Sequence, residues 1–495
     1  MHYPKHLLTV VLLLTCAFRA FETEEAPFDS ERYEIKSCLS SDLEEHERSS
    51  CRFYVLVIDA GSTGTRLELF EFSHDPRNAA VPCKLEKEKF VERKPGLSAY
   101  ASSPHKAALV VTELLDEAKK SVPKLLWGHS PVSLKATAGF RLLPVASAGR
   151  LLREVERVLR SSPFLTGDEP AASLMDGTDE GIYGWFTLSY LLSHLDVVLG
   201  NREALSAAIN RDLVAVALDL GGGSTQITFV PQHSFPILPT SFMKEIWLFG
   251  HRLQLYTHSY LGNGVMASRI RVLELAREAG KDVFRSTCFP RTVSFVWGFQ
   301  GKEYQISGKE NYSYSACYDE VRRHVDTSNV QKPPEISSHD LYAFGYFFDL
   351  ALRANMVEEQ GGMVELEDFL LAARRACSRY TDTLTSDDLL RWQCLDLTYV
   401  YSLLKDGYKL PNRQRISLIK KLRGMETSWA LGAAYHLLNT YHEARVTRPV
   451  TNLRLWQIYP LIDLCTVCLF DLKRFVSACA YEWLQGFISL FNMLH

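Results

Sequence analysis

Val55-Leu56-Val57-Ile58-Asp59-Ala60-Gly61-Ser62-Thr63-Gly64-Thr65-Arg66-Leu67-Glu68-Leu69-Phe70 is the stretch that decides the fold. An apolar, β-branched run ends on an aspartate, passes through a tight glycine turn and re-enters an apolar alternation, which predicts strand, turn, strand. The same grammar returns at Val214-Ala-Val-Ala-Leu-Asp219-Leu-Gly221-Gly222-Gly223-Ser224-Thr225-Gln226-Ile-Thr-Phe. Asp59 aligns with Asp219, Gly61 with Gly221 and Thr65 with Thr225 at a single offset, so an internal duplication is the economical reading.

Each loop alone is a weak signal, because a glycine turn after an apolar strand is usually just a hairpin. Two loops in register, each preceded by an aspartate, carry chemistry. Glycines let backbone N–H groups approach phosphate oxygens without a Cβ in the way, and Ser/Thr hydroxyls add donors. One carboxylate per repeat at the strand ends can hold a hydrated Mg²⁺ or Ca²⁺ against the phosphates. The chain contains no G-x-x-x-x-G-K-[ST] run, which argues against a P-loop enzyme.

Outward from the loops, strands and helices alternate. Strands are expected at 53–58, 66–72, 132–136, 213–218 and 225–230, and helices at 106–121, 148–161 and 181–195, the last with a hinge near Asp176. This is an α/β pattern, and a duplicated one. Between the loops lie Lys135-Ala-Thr137-Ala-Gly139-Phe-Arg141, after a strand, and Asp176-Gly-Thr-Asp179-Glu180-Gly181, at a helix start. Thr137 can donate to a phosphate or to an attacking water, and Glu180 can orient and deprotonate that water. An acid in a first helical turn is also favourable for the helix dipole alone, and that reading stands beside the catalytic one.

The 495 residues suit two or three domains, and 46% hydrophobic with 23% charged residues is ordinary globular composition. A formal net charge of -3 and the lack of a long Lys/Arg run leave no basic field for a nucleic-acid backbone, so no DNA or RNA partner is expected. Residues 1–20 start weakly basic and continue with the apolar run Leu7 to Phe18, the length of a signal-peptide core and short of the roughly 20 residues a span needs. Secretory entry follows, with cleavage after Ala17 or retention as an anchor both open.

Eleven cysteines agree with an oxidising compartment. Cys288 and Cys317 flank a strand-rich stretch and Cys377 and Cys394 a helix-turn stretch, so pairing is expected within each set, with buried thiols as the alternative. Asn311-Tyr312-Ser313 is a glycosylation sequon, expected at the surface.

Asp59 to Arg66, Lys135 to Leu143, Asp176 to Trp185, Asp219 to Gln226 and Tyr342 to Asp349 resemble, in order and spacing, the five apyrase motifs of the nucleoside triphosphate diphosphohydrolases. The resemblance runs from about Phe53 to Asn439. Tyr256 to Gly262 and Lys405 to Tyr408 also look like that family, and the Gly64-Thr65-Arg66 ending resembles its soluble, lumenal nucleoside diphosphatase branch.

The resemblance implies a two-lobed, actin-like and ribonuclease-H-like α/β fold with the site in the cleft between lobes. The first lobe would hold residues 51–176 plus about 425–445, the second 177–424, with 21–50 as a linker. It also implies Asp59 and Asp219 as metal ligands through water, for Ca²⁺ or Mg²⁺, and Glu180 as general base. Ser224 and Gln226 would position the water with help from Thr137. Ser62, Thr63, Gly64, Thr65, Arg66, Gly221, Gly222 and Gly223 would grip the phosphates. Phe348 and Tyr408 are the candidates for stacking on the base, with Asp406 nearby.

Hydrolysis would proceed by in-line attack on nucleoside diphosphates such as UDP or GDP, with triphosphates also open, in the secretory lumen in support of glycosylation. Ser189 stands where the family usually has asparagine, and Lys409-Leu410 where Gly-Phe often follows. An exopolyphosphatase-like or sugar-kinase-like enzyme of the same superfold is the runner-up, followed by a non-catalytic nucleotide-binding module. Gln226, where polyphosphatases tend to carry an acid, and the Tyr256 to Gly262 motif speak against the first.

The tail 446–495 lies outside the resemblance. Its apolar stretch carries Asp463, and a mid-membrane aspartate costs about 3 kcal/mol on insertion scales. Membrane-surface or partner packing is expected there, against plain disorder. Cys465-Thr-Val-Cys468 lacks a second ligand pair, so no metal site is expected. Oligomeric state is left open.

Overall fold

The computed structural model describes residues 51–74, 84–195, 215–231, 240–248, 251–277, 283–333, 335–378 and 388–446. The proposed signal segment, the 21–50 linker, and the tail from 447 with its three cysteines lie outside the described residues. Residues up to Leu438 form one compact unit. Of the second unit, 439–495, only the end of the helix Ala430–Val446 is described.

The apolar run at Val55 becomes a central strand, because side chains on both its faces find cover. Val55, Leu56, Val57, Ile58 and Ala60 are all buried. Strand β1 (Cys51–Ala60) pairs antiparallel with β2 (Thr65–His74), and β2 with β3 (Lys84–Arg93); β1 runs parallel to β4 (Val132–Ala136), and β4 to β5 (Ala172–Leu174). The sheet order is β3-β2-β1-β4-β5. Helices Pro104–Lys119 and Val145–Ser161 cover one face, packing Val111, Leu115, Val155 and Leu159 with Leu56 and Ile58.

The second half repeats this plan. Strands β6 (Ala215–Leu220), β7 (Ser224–Phe229), β8 (Met243–Leu248) and β9 (His251–Leu261) are followed by β10 (Val283–Pro290), β11 (Ser294–Phe299) and β12 (Lys302–Lys309). Strands β13 (Asp340–Gly345), β14 (Gly362–Glu365) and β15 (Arg415–Leu418) complete it. The large sheet has the order β14-β15-β13-β6-β7-β9-β8. Its members β9-β7-β6-β13-β15 match β3-β2-β1-β4-β5 in order, with β6–β7 and β7–β9 antiparallel and β6–β13 and β13–β15 parallel. The duplication read from the loops thus extends to topology. Strands β10, β12 and β11 form a separate small sheet.

A third apolar cluster joins the two sheets. It combines Val55, Val57 and Phe70 with Ala217, Leu255 and Phe344, and with Trp185 and Leu188 from the helix Gly177–Leu191 and Ala430, Ala433 and Ala434 from the last helix. The Gly177 helix starts four residues before the expected Gly181, because the Asp176 carboxylate caps it by accepting from Thr178 N–H at 2.8 Å. Glycines that read as breakers are instead contact points. A Cβ on Gly177 would lie 2.3 Å from Ser259 Oγ, and one on Gly181 would lie 2.7 Å from Thr228 Oγ1. Their spacing of four puts both on one helix face, so the helix seats directly on β7 and β9. The last helix crosses it at Gly432, whose N–H donates to Thr187 Oγ1 at 3.1 Å.

Both expected disulfides are present, Cys288–Cys317 and Cys377–Cys394. Asn311 is exposed. Among the described residues no helix is long and apolar enough to cross a membrane.

Candidate active site

Because β1 and β6 hold equivalent places, their C-terminal ends bring Asp59 and Asp219 to equivalent positions. Burial pushes Asp219 up to about 8, with the charges of Glu180 and Asp59 adding to it. Burial raises Asp59 too, against the opposing pull of Arg66. Asp59 Oδ2 accepts from Arg66 Nη1 at 2.9 Å, while Asp59 Oδ1 is buried without a partner. The Asp219 carboxylate accepts no hydrogen bond among the described residues. Gly345, at φ +65°, leaves room for it: a Cβ there would sit 2.9 Å from Asp219 Oδ1 and 2.7 Å from Leu220 O. A buried carboxylate, Asp59, and a half-buried one, Asp219, each with an oxygen that accepts no hydrogen bond among the described residues, fit the donor set of a hard divalent ion.

The glycine loops meet at this point. A Cβ on Gly222 would lie 2.2 Å from Ser62 Oγ, and one on Gly139 would lie 2.7 Å from Ser62 Cα. The carbonyls of Gly221, Gly222 and Gly223 all turn back, accepting from Val265, Ala267 and Gly262 N–H at 3.0, 3.0 and 2.8 Å. Separately, the N–H groups of Gly222 and Gly223, and those of Ser62, Thr63 and Gly64, have no backbone acceptor among the described residues. Such runs of free N–H groups make a concave anion site. Thr65 is fully buried. Arg66, expected on phosphate, is committed to carboxylates: Nη1 holds Asp59 and Nε donates to Glu92 Oε1 at 3.0 Å.

Glu180, one turn into the Gly177 helix, is buried beside these loops. Its carboxyl is pushed up to about 7 by burial, against the lowering effect of Arg141. Arg141 Nη2 donates to Glu180 Oε2 at 2.7 Å and to Ser224 Oγ at 3.2 Å. Gln226 Nε2 shares its two hydrogens among three acceptors, Ser224 Oγ at 2.7 Å, Ser259 Oγ at 2.9 Å and Glu180 Oε2 at 3.2 Å, leaving Gln226 Oε1 buried and unpartnered. The structure therefore brings Glu180, Ser224 and Gln226 together. Thr137 is buried at the end of β4, where its N–H donates to Ala60 O at 3.3 Å.

Arg66 and Gln226 occupy equivalent places, facing Asp59 and Asp219 across their hairpins. One half therefore places a cation opposite its aspartate and the other an amide, so the duplicated scaffold carries unlike chemistry in its two halves.

The candidate base-stacking residues call for correction. Phe348 and Tyr408 are core residues of the second half, 1% and 0% exposed, so neither offers a ring face to a ligand as placed. Tyr408 packs against Tyr260 at 6.2 Å between ring centroids. Asp406 Oδ2 is occupied by the hydroxyls of Tyr318 and Ser402, each at 2.7 Å. Three residues at the site had no role assigned from sequence. Arg141 and Ser259 lay inside noted motifs, but neither spacing nor type marked them. Glu92 sits in β3 with no local signal at all.

The architecture is similar to a crystal structure of nucleoside triphosphate hydrolases from Neospora caninum, at a TM-score of 0.55 and 15% identity over 79% of this chain and 93% of that one. The fold is thus the duplicated, actin-like α/β class. Residues 45–450 match the GDA1/CD39 (nucleoside phosphatase) family. Nucleoside-diphosphatase uda-1 of Caenorhabditis elegans is 40% identical over 408 residues, 80% of this chain and 84% of that protein. Human nucleoside diphosphate phosphatase ENTPD5 is 39% identical over 400 residues, 79% and 89% respectively. The chain belongs to the GDA1/CD39 family and is a nucleoside phosphatase.

Proposed function

We propose that this enzyme hydrolyses the terminal phosphate of nucleoside diphosphates, with a water activated by Glu180 and a divalent cation held between Asp59 and Asp219. The observation that carries the proposal is the Glu180–Ser224–Gln226 cluster. It leaves one buried acceptor, Gln226 Oε1, open beside a base whose pKa of about 7 suits proton transfer near neutrality. A water donating one hydrogen to Gln226 Oε1 and the other toward Glu180 would be oriented for in-line attack. Glu180 takes the proton, the phosphoanhydride bond breaks, and monophosphate and inorganic phosphate leave.

When bound, Ca²⁺ or Mg²⁺ supplies charge neutralisation for the phosphates. The free N–H groups of Ser62, Thr63 and Gly64 and of Gly222 and Gly223 would hold the phosphate oxygens. Arg66 would act by fixing Asp59 rather than by touching phosphate. Diphosphates are the proposed substrate class because the two named relatives are nucleoside diphosphatases, and UDP and GDP are proposed among them from the resemblance to the lumenal branch and the signal-like N-terminus. The same reading places the enzyme in the secretory lumen, where removing nucleoside diphosphates would support glycosylation, with Asn311 as an accessible glycan site.

Phosphate release from a panel of nucleoside di- and triphosphates, with Ca²⁺, with Mg²⁺ and with a chelator, tests this. Diphosphate hydrolysis lost in chelator is expected. Turnover indifferent to chelator overturns the cation and the roles of Asp59 and Asp219 together.

A further inference from the structure

The geometry points to Ser259 as a positioning residue that acts on the reaction through Gln226. The inference rests on the proposed reading of Gln226 as the residue that orients the attacking water.

Ser259 lies on β9 directly opposite Gln226 on β7 in the antiparallel register, the relation in which side chains on one face come closest. The Gln226 amide has two ends, and only one can serve as acceptor for a water. The Glu180 carboxylate, which only accepts, decides which, and the Ser259 hydroxyl holds the amide in that orientation. Glu180 Oε2 and Ser259 Oγ both receive hydrogen bonds from Nε2, at 3.2 and 2.9 Å, so Oε1 is turned to the unpartnered side.

Without Ser259 the long amide keeps contacts only to Ser224 and Glu180, groups that the reaction itself uses. Of the three acceptors, Glu180 takes the proton and Ser224 is read as positioning the water, whereas Ser259 has neither part. It remains a fixed reference while Glu180 gains a proton and stops being a pure acceptor. The helix above respects this placement, since Gly177 has no Cβ to strike Ser259 Oγ.

The test is a double-mutant cycle on the full chain, reading kcat and KM for UDP hydrolysis and the melting temperature of each variant. Ser259→Ala is expected to lower kcat about tenfold, with KM and melting temperature little changed. In a Gln226→Ala background the same substitution should cost nothing further, because its target is gone. Ser259→Thr, which keeps the hydroxyl, should recover most of the rate, and covers the case in which the alanine variant folds poorly.

An unchanged kcat in Ser259→Ala, or a loss that multiplies with that of Gln226→Ala, overturns the inference. If Gln226→Ala itself leaves kcat intact, the parent reading of Gln226 fails instead, which separates the two.

Discussion

Arg141 Nη2 lies 2.7 Å from Glu180 Oε2 and 3.2 Å from Ser224 Oγ, so one guanidinium nitrogen ties the proposed base to the serine beside it. Arg141 ends the short helix that follows β4 of the first sheet, Glu180 sits on the helix between the sheets, and Ser224 opens β7 of the second. The arginine therefore joins three elements at the site, and its charge opposes the burial that would keep Glu180 protonated.

Arg141→Gln should accordingly shift the acid limb of kcat/KM upward. The base works only when ionised, and an opposite charge at this distance typically holds a carboxyl down by about one to three units. With the charge gone, Glu180 titrates higher and activity falls off at a higher pH. A profile of kcat/KM measured from about pH 5 to 9 reads this directly, and an unmoved limb would reject the electrostatic role of Arg141.

Asp219 contributes to the pH dependence of the metal-free protein in the same direction as the other raised carboxyls, Glu180 and Asp59 among them. The Asp219 folded-state pKa of about 8 lies above the 3.8 of an ordinary aspartate in the unfolded chain. Between those values the folded state binds more protons, so the metal-free protein loses stability as pH rises through that window. Added Ca²⁺ or Mg²⁺ should then raise the melting temperature more near pH 8 than near pH 5. Asp219→Asn should raise the melting temperature of the chelated protein and remove the cation response. A destabilised, still cation-responsive Asn variant would be incompatible with an uncompensated carboxylate.

Gly264→Ala should damage the second phosphate loop from behind. The added Cβ would lie 2.4 Å from both Gly222 C and Gly223 N, which are backbone atoms that cannot rotate aside. Overpacking of this kind costs about 1–3 kcal/mol, and relief by moving the loop would spoil its N–H groups. Loss of both stability and kcat is expected in thermal melts and phosphate-release assays. An alanine variant of native stability and rate would mean that these N–H groups are not held in place by this contact.

Phe348→Ala should behave as a core truncation. Deleting a buried phenylalanine ring typically costs about 3–5 kcal/mol, visible as a fall in melting temperature, whereas the ratio of kcat/KM for UDP and GDP should stay constant. A changed base ratio at native stability would restore the stacking role for this residue.

Much of the fold was legible because its signal is local. Asp59, Gly61, Asp219 and Gly221 sit in strand-turn-strand segments whose apolar runs and turn residues specify themselves, and their offset announced the duplication. The start of the Gly177 helix is hidden in the sequence because Gly181, a poor helix former, is kept there for its close approach to Thr228 and Thr257. Arg141 and Ser259 became meaningful only once β4, β7, β9 and the Gly177 helix were placed side by side, a long-range arrangement that spacing does not encode. Phe348 and Tyr408 show the converse: an aromatic in a motif reads alike whether it covers a base or fills a core, and burial separates the two.

The most direct measurement is phosphate release from UDP by Glu180→Gln, which keeps the side chain's shape and its acceptor toward Arg141 but cannot take a proton. The account predicts a loss of about 10²–10⁴-fold in kcat, with nucleotide and cation binding retained and stability at least native. A variant turning over within a few fold of the native rate would contradict Glu180 as the base.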